Sequence, residues 1–398
     1  MKILMLHNRY RERGGEDYSS AAEVNLLRSA GIECVFHQVD NRDVKRFGLS
    51  SAVNAVWSHS TMKEVASIVL DRKINVVHVQ NFFPQLSPSV YWGAGSTGAA
   101  VVQSLRNYRL ACVNGQFFRD GRVCEDCLGR TPLSGVIHRC YRESLAGSGV
   151  VASMLVAHRM IGTWSRRVDR YIAVSEFTRL KMIEGGLPAD KIDVKPNFLE
   201  SIPPAPGSGA GGYFAYVGRI SKEKGIRTLI EAWRLLPSRP PLKIIGTGPL
   251  DDFVRSAIAT MPHITALGAC SAVEVQQILA QARALVFPSE WYETFGRVAM
   301  EAYSVGTPVI ASDIGAVAEI VQDGITGLRF RAGSTTDLAA AVERFLGAPN
   351  NSIAMRLAAR ETFLKKYTPS RNIELLLKIY ERAMSAASKR KSTKILHV

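Results

Sequence analysis

Short runs of apolar, β-branched residues alternate with longer amphipathic stretches along the whole chain. In the first half, Lys2–Leu6, Glu33–Val39, Ile74–Val79, Ala99–Leu105 and Arg170–Val174 read as strands. In the second half the same reading falls on Tyr213–Val217, Leu242–Ile245, Ala284–Phe287, Pro308–Ala311 and Leu328–Phe330. Strands apolar at nearly every position are covered on both faces, and the helical stretches between them supply the cover. The pattern runs twice, so the predicted architecture is α/β with two doubly wound, Rossmann-like parallel-sheet domains. A chain of 398 residues fits two domains of about 100–200 residues each.

The predicted boundary is the uncharged stretch 201–212, dense in Pro and Gly, which reads as a hinge linker. Residues 1–200 then form an N-terminal domain and 213–368 a C-terminal one. In 369–398 a helix over Pro369–Ala387 is expected to pack back on the first domain, followed by a frayed basic tail with Lys389, Arg390, Lys391 and Lys394. Ligands of such sheets sit beyond the carboxyl ends of the strands, so the expected active site is a central cleft between the two domains.

Composition narrows this picture. A chain 46% hydrophobic and 21% charged is globular and not disordered. No run of about 18 apolar residues is present to span a membrane. The start, Met1–His7, reads as a strand without a long apolar signal core, which predicts a cytoplasmic protein. The net charge of +15 is spread over both halves and favours polyanions: nucleotide phosphates, an anionic membrane face or nucleic acid. The apolar stretch Ser148–Trp164, followed by Arg166, Arg167 and Arg170, suits a core helix with a solvated end. It equally suits peripheral contact with the inner face of the cytoplasmic membrane.

The chemistry concentrates in the second half. In 287–315 a strand ends near Phe287, and a helix is expected from Phe295 or Gly296 with Thr294 as its N-cap. Glu293 and Glu301, with seven residues between them, flank that helix start, whose free N–H groups and positive dipole end make a ready diphosphate site. A carboxylate on either side can accept hydrogen bonds from paired sugar hydroxyls. In Val217–Gly225, Gly218, Arg219 and Lys224 follow a strand; the two cations can neutralise a diphosphate, most strongly as it leaves. In Ile245–Pro249, Gly246 and Gly248 permit close approach of a ligand to the backbone.

These motifs, with Gly306–Asp313 after them, resemble glycosyltransferase family 4 (glycosyl transferases group 1), a retaining family of the GT-B fold. The likeness covers most of the chain and is strongest over 213–330. It implies a hexosyltransferase that takes a UDP- or GDP-linked sugar without a catalytic metal. By it, Glu301 would hold the donor ribose and Glu293 the transferred sugar, with Thr294, Phe295 and Gly296 nearby, while Arg219 and Lys224 hold the diphosphate. Gly14 and Gly15, after the first strand, match the family's glycine loop near the donor phosphates and the acceptor. Arg106 stands where many relatives carry a catalytic His, and is a candidate for binding phosphate or hydroxyl oxygens. The implied acceptor is a saccharide, lipid-linked, in bacterial surface polysaccharide synthesis, and Phe82 and Phe83 would form an acceptor wall or lie buried.

Six cysteines remain. Cys112, Cys124, Cys127 and Cys140 follow a C-x11-C-x2-C-x12-C spacing that can close a tetrahedral structural zinc site, with His138 as a substitute ligand. Cys34 and Cys270 are expected to be buried. Two rival readings are a GT-B sugar-nucleotide 2-epimerase and a zinc-containing nucleic-acid-binding protein. The second explains charge and cysteines but not the strand-end motifs, so nucleic acid is not an expected partner.

Overall fold

In β1 (Lys2–Arg9) the residues Ile3, Leu4, Met5 and Leu6 are all fully buried, so both faces of the strand are covered. β1 pairs in parallel with β2 (Glu33–Asp40) on one side and β3 (Val76–Asn81) on the other. β4 (Ala100–Leu105) follows. β5 (Phe118–Arg119) and β6 (Arg122–Val123) form a small antiparallel hairpin apart from the sheet. β7 (Arg170–Ala173) and β8 (Ile192–Val194) complete a six-stranded parallel sheet of order β2-β1-β3-β4-β7-β8. The structure is a computed structural model that describes residues 1–10, 14–41 and 48–395.

The second sheet repeats the plan with β9 (Phe214–Val217), β10 (Leu242–Ile245), β11 (Ile264–Gly268), β12 (Leu285–Phe287), β13 (Val309–Ser312) and β14 (Gly327–Phe330). Its order is β11-β10-β9-β12-β13-β14, again parallel. The helix Ile226–Leu235 buries Ile226, Leu229, Ile230 and Trp233, the spacing of one helical face, against Phe214 and Phe345. Both sheets are the doubly wound α/β kind expected from the apolar runs. The strands not expected, β8 and β11, are edge strands with mostly half-buried or exposed positions, so they carry no apolar run to read.

The chain divides into two units: 1–117 with 125–197 and 369–398, and 118–124 with 198–368. The stretch 201–212 is not a loose hinge. Arg360 donates to the Pro203 carbonyl, and the N–H groups of Gly207, Gly209 and Gly211 reach Val305, Ala280 and Gln281, which straps it to the second unit. The last helix runs Pro369–Ile395 and so takes in most of the expected frayed tail, of which 396–398 lie outside the described residues. Its Leu376, Ile379, Tyr380 and Ala383 share one core with Ile3, Met5, Val76 and Val102. No helix among the described residues is long and apolar enough to cross a membrane.

Polar anchors fasten this helix to the first unit. His78 is fully buried, with Nδ1 2.8 Å from the Tyr380 hydroxyl and Nε2 2.9 Å from that of Ser104. Lys195 Nζ donates to Asn372 at 3.0 Å. Burial pushes the His78 imidazole down to about 4, against the pull of Glu23. The folded state therefore disfavours a proton that the unfolded chain takes up near pH 6.5. Stability from this site is whole above that pH and is lost as the pH falls toward 4. The expected result is a urea midpoint that drops over this window, and a shallower drop in His78→Gln.

Candidate functional site

Glycines set the loops at the carboxyl ends of the second sheet. Gly246 sits at φ +131°, and a Cβ there would lie 1.9 Å from the Gly218 carbonyl oxygen. A Cβ on Gly248 would lie 2.3 Å from the Ile220 oxygen, and one on Gly225 1.8 Å from the Pro288 oxygen. The loops after β9, β10 and β12 nest because these side chains are missing. Hydrogen bonds from Ile220 N to Thr247 O and from Leu250 N to Ile220 O zip the first two together. Gly246 and Gly248 were expected to admit a ligand; the structure shows that they also admit a neighbouring loop.

That nesting brings Lys224 against Glu293. Lys224 Nζ donates to Glu293 Oε1 at 2.6 Å, and Ser289 Oγ donates to the same oxygen at 2.8 Å. Glu293 is buried, while Lys224 keeps contact with solvent. Arg219, from the same loop as Lys224, is exposed, and its guanidinium has no partner among the described residues. Thr228 Oγ1 donates to Glu290 at 2.5 Å and so pins the loop from the far side. Lys224 Nζ also lies 5.2 Å from the centre of the Trp291 ring.

The next helix spans Arg297–Ser304. Its N-cap is Gly296 at φ +95°, without a side-chain cap, which corrects the expected Thr294 cap. A left-handed residue is needed to turn the chain into this helix, and Gly meets that need at no steric cost. Phe295 is buried edge-on against Tyr367 at 5.7 Å, so its backbone alone faces the loop chemistry. Glu301 accepts from Arg297 Nε at 2.9 Å, one turn earlier. Ser289, Trp291 and Arg297 were not singled out in the sequence; they sit inside the motif, and no spacing rule marks them.

In the first unit the helix Gly15–Ser29 opens at Gly14, whose N–H donates to Asp17 Oδ2 at 2.9 Å. Asp17 Oδ1 also meets His7 Nε2 at 2.9 Å. A Cβ on Gly14 or Gly15 would touch nothing within 4 Å, and neither residue takes a left-handed φ. Among the described residues no packing or backbone demand explains these two glycines, and none of those residues fills the space beside them at the helix N-terminus. Glu16 accepts from the Tyr10 hydroxyl at 2.9 Å and from Asn107 at 3.3 Å.

Arg106 is a braced residue. Its Nε donates to Gln80 at 2.7 Å, Nη1 to Asn197 at 2.6 Å and Nη2 to Glu23 at 2.7 Å. Burial alone would push the Glu23 carboxyl up, but Lys195, His78 and Arg106 overcome it and hold it at about 2. Phe82 and Phe83 are buried against Tyr91, Trp164 and Tyr141 and form no open acceptor wall.

The four-thiolate zinc is not supported. Among the described residues no three His, Cys, Asp or Glu side chains are disposed to hold a metal. Cys112 is buried and its Sγ donates to Asn114 Oδ1 at 2.9 Å, while Cys124 falls in the other unit from Cys112, Cys127 and Cys140. The start of this loop is held by ordinary forces. Tyr108 N bonds Gly115 O, Cys112 N bonds Tyr108 O, and the Tyr108 and Phe117 rings meet at 4.8 Å. Cys34 is buried as expected, its thiol pushed up to about 11 by burial, whereas Cys270 is half-buried.

The glycine geometry gives a contrast to measure. Gly246→Ala is expected to cost ~1–3 kcal/mol or more in chemical denaturation, from strain at the left-handed φ and the clash with Gly218. Gly14→Ala and Gly15→Ala are expected to leave the denaturation midpoint within about 0.5 kcal/mol of the parent.

Residues 205–362 match the family model for glycosyl transferases group 1. A glycogen synthase of Mycobacterium tuberculosis is 36% identical over 152 residues, covering 37% of this chain and 36% of the relative. An uncharacterized 42.6 kDa protein in the cps region of Klebsiella pneumoniae is 24% identical over 273 residues, 67% of this chain and 64% of the relative. The chain thus spans between about a third and two thirds of these relatives' length. Among solved structures, Anabaena HepE in complex with UDP superposes with a TM-score of 0.68 at 15% identity, over 96% of this chain and all of that one. The segment 205–362 therefore belongs to the glycosyl transferases group 1 family, in a chain built from the two Rossmann-like units of the GT-B fold.

Proposed function

We propose that this protein is a glycosyltransferase whose second unit holds a nucleoside-diphosphate sugar and whose product keeps the configuration of the anomeric carbon. The observation that carries the reading is the Lys224–Glu293 pair, at 2.6 Å between the loops after β9 and β12, next to the helix that opens at Gly296. Arg219 and Lys224 neutralise the diphosphate, Glu301 takes the ribose hydroxyls, and Glu293 faces the transferred sugar. The backbone of Thr294, Phe295 and Gly296 adds N–H donors, and Gly218 leaves room beside them. The UDP held by the Anabaena relative supports UDP as the nucleotide.

In the proposed reaction an acceptor hydroxyl oxygen bonds to the anomeric carbon on the face from which the phosphate oxygen departs. The hydroxyl proton passes to that departing oxygen. The protein supplies position and charge: two cations at the leaving group, where negative charge grows. Acceptor recognition is assigned to the first unit, where Gly14 and Gly15 leave space. Arg106 serves there as a brace, since Gln80, Asn197 and Glu23 occupy its three nitrogens. The acceptor in this reading is a saccharide on a lipid carrier.

An exposed face of the first unit favours work at an anionic membrane. Leu133 and Ile137 on one helix, and Met160 and Ile161 at the end of Leu145–Met160, are exposed, and the same segments expose Arg139, Arg142, Arg159 and Arg166 against the one acid Glu143. Apolar anchors inside a basic rim suit the surface of a membrane rich in acidic lipids.

Two measurements test these readings. Melting of the purified chain against UDP, GDP, ADP and CMP is expected to show a rise with one nucleoside diphosphate, because a ligand of the folded state stabilises it by mass action. Arg219→Ala and Glu301→Ala are each expected to remove most of that rise; no rise with any nucleotide contradicts the donor site. In sedimentation with phosphatidylglycerol vesicles, the chain is expected to pellet at low salt. The double variant Ile137→Glu, Met160→Glu is expected to lower the bound fraction severalfold, and equal binding by parent and variant contradicts the membrane face.

A further inference from the structure

One polar group beside the proposed donor site is left without use. Trp291 stands between Glu290, fixed by Thr228 at 2.5 Å, and Glu293, fixed by Ser289 and Lys224. A Cβ on Gly315 would come within 3.1 Å of Tyr292 Cα and Glu293 N, so the backbone beside the indole is seated tightly. The indole Nε1–H is shielded from solvent and has no acceptor among the described residues. A buried donor left unmet costs about 1–3 kcal/mol, so each one calls for an explanation; the Trp164 indole N–H in the first unit is also unmet among the described residues, and Trp291 differs from it in standing beside the donor motif. A second orphan, the Ser312 hydroxyl, lies at the carboxyl end of β13, the strand next to β12. Lys224 Nζ lies over the face of the Trp291 ring, 5.2 Å from its centre.

We infer that the Trp291 indole N–H gives a hydrogen bond to a hydroxyl of the transferred sugar, and so makes Trp291 a recognition residue for the donor's sugar and not for its nucleotide. The inference rests on the donor reading above. The sugar is the fitting acceptor because Glu293 is adjacent. A phosphate drawn to this N–H would stand beside the Glu293 carboxylate, two anions together, whereas a neutral hydroxyl meets no such repulsion. When the cations turn to the diphosphate, Lys224 leaves Glu293, and its carboxylate turns to a sugar hydroxyl beside the indole N–H. Glu293 and Trp291 then offer an acceptor and a donor side by side, the pair that adjacent sugar hydroxyls satisfy.

The test compares bare and sugar-linked nucleotides on the full chain. UDP, UDP-glucose, UDP-galactose, UDP-N-acetylglucosamine, GDP and GDP-mannose are titrated against the parent, Trp291→Phe and Trp291→His by melting and calorimetry. In the parent one conjugate is expected to bind more tightly than its bare nucleotide. Trp291→Phe, which keeps an apolar ring but loses the N–H, is expected to bind that conjugate about two- to tenfold more weakly. Its affinity for the bare nucleotide is expected to match the parent's, which also shows that the variant is folded. Trp291→His, which can restore a ring N–H, is expected to recover part of the loss. An unchanged conjugate affinity in Trp291→Phe overturns the inference, as does an equal loss for nucleotide and conjugate. A parent chain that binds no nucleotide at all overturns the donor reading beneath it. On the parent alone, the Trp291 indole 15N–H resonance, identified by its absence in Trp291→Phe, is expected to move with the conjugate beyond its movement with the nucleotide. An unmoved resonance also overturns the assignment.

Discussion

The second unit depends on three backbone-to-backbone contacts that no side chain could share. Gly225 against Pro288, Gly246 against Gly218, and Gly248 against Ile220 let the loops after β9, β10 and β12 lie directly on one another. A single methyl group at any of these positions would push a loop outward by more than an ångström. The strands beneath would hardly notice, because their cores are built from Phe214, Ile244, Val286 and Ile310. The charged groups above would, since the 2.6 Å contact of Lys224 with Glu293 spans two of these loops. The site is thus a property of loop spacing, and loop spacing is a property of glycine.

On that scaffold the charges are held in a resting arrangement. Glu293 is buried and paired with Lys224; Glu301 is tied to Arg297. A buried carboxylate without a partner would be costly, so each acid is matched by a base from its own surroundings. In both pairs the cation is half-buried and keeps contact with solvent, and a cation with a long flexible stem can trade one anion for another. A diphosphate would draw Lys224 toward Arg219 and release Glu293 for hydroxyls. The first unit shows the opposite case. Glu23, Arg106, Lys195 and His78 form a closed, buried set, with Tyr380 of the last helix bonded to His78. There the charges brace the fold and none is left to exchange.

The two sheets were legible because parallel strands covered on both faces must be apolar nearly throughout, and runs such as Ile3–Leu6 or Val76–Val79 have no other explanation. The edge strands β8 and β11 carry no such run: β8 has three residues with Asp193 at its centre, and β11 is exposed over Thr265, Ala266 and Leu267. The motif around Glu293 and Lys224 was legible as two strand ends, and the sheet order makes those strands, β9 and β12, neighbours. What spacing could not reveal is side-chain direction. Four cysteines stand at ligand-like intervals, yet among the described residues no three His, Cys, Asp or Glu side chains are disposed to hold a metal, and Cys112 gives its thiol to Asn114. Arg106 could be placed beside the ligand by its position, yet its partners Glu23 and Asn197 lie 83 and 91 positions away, beyond any local pattern. Thr294 looked like a cap, but the turn demanded a left-handed residue, and Gly296 took the place.

The central claim is that the loops after β9, β10 and β12 together hold a nucleoside-diphosphate sugar. Hydrogen exchange of the full chain, with and without the nucleotide sugar that binds, reads this directly. The account expects slowed exchange confined in the second unit to 218–225, 246–250 and 289–301, where the backbone donors and their neighbours meet the ligand. Unchanged exchange in all three segments at saturating ligand, or slowing elsewhere in that unit alone, would contradict it.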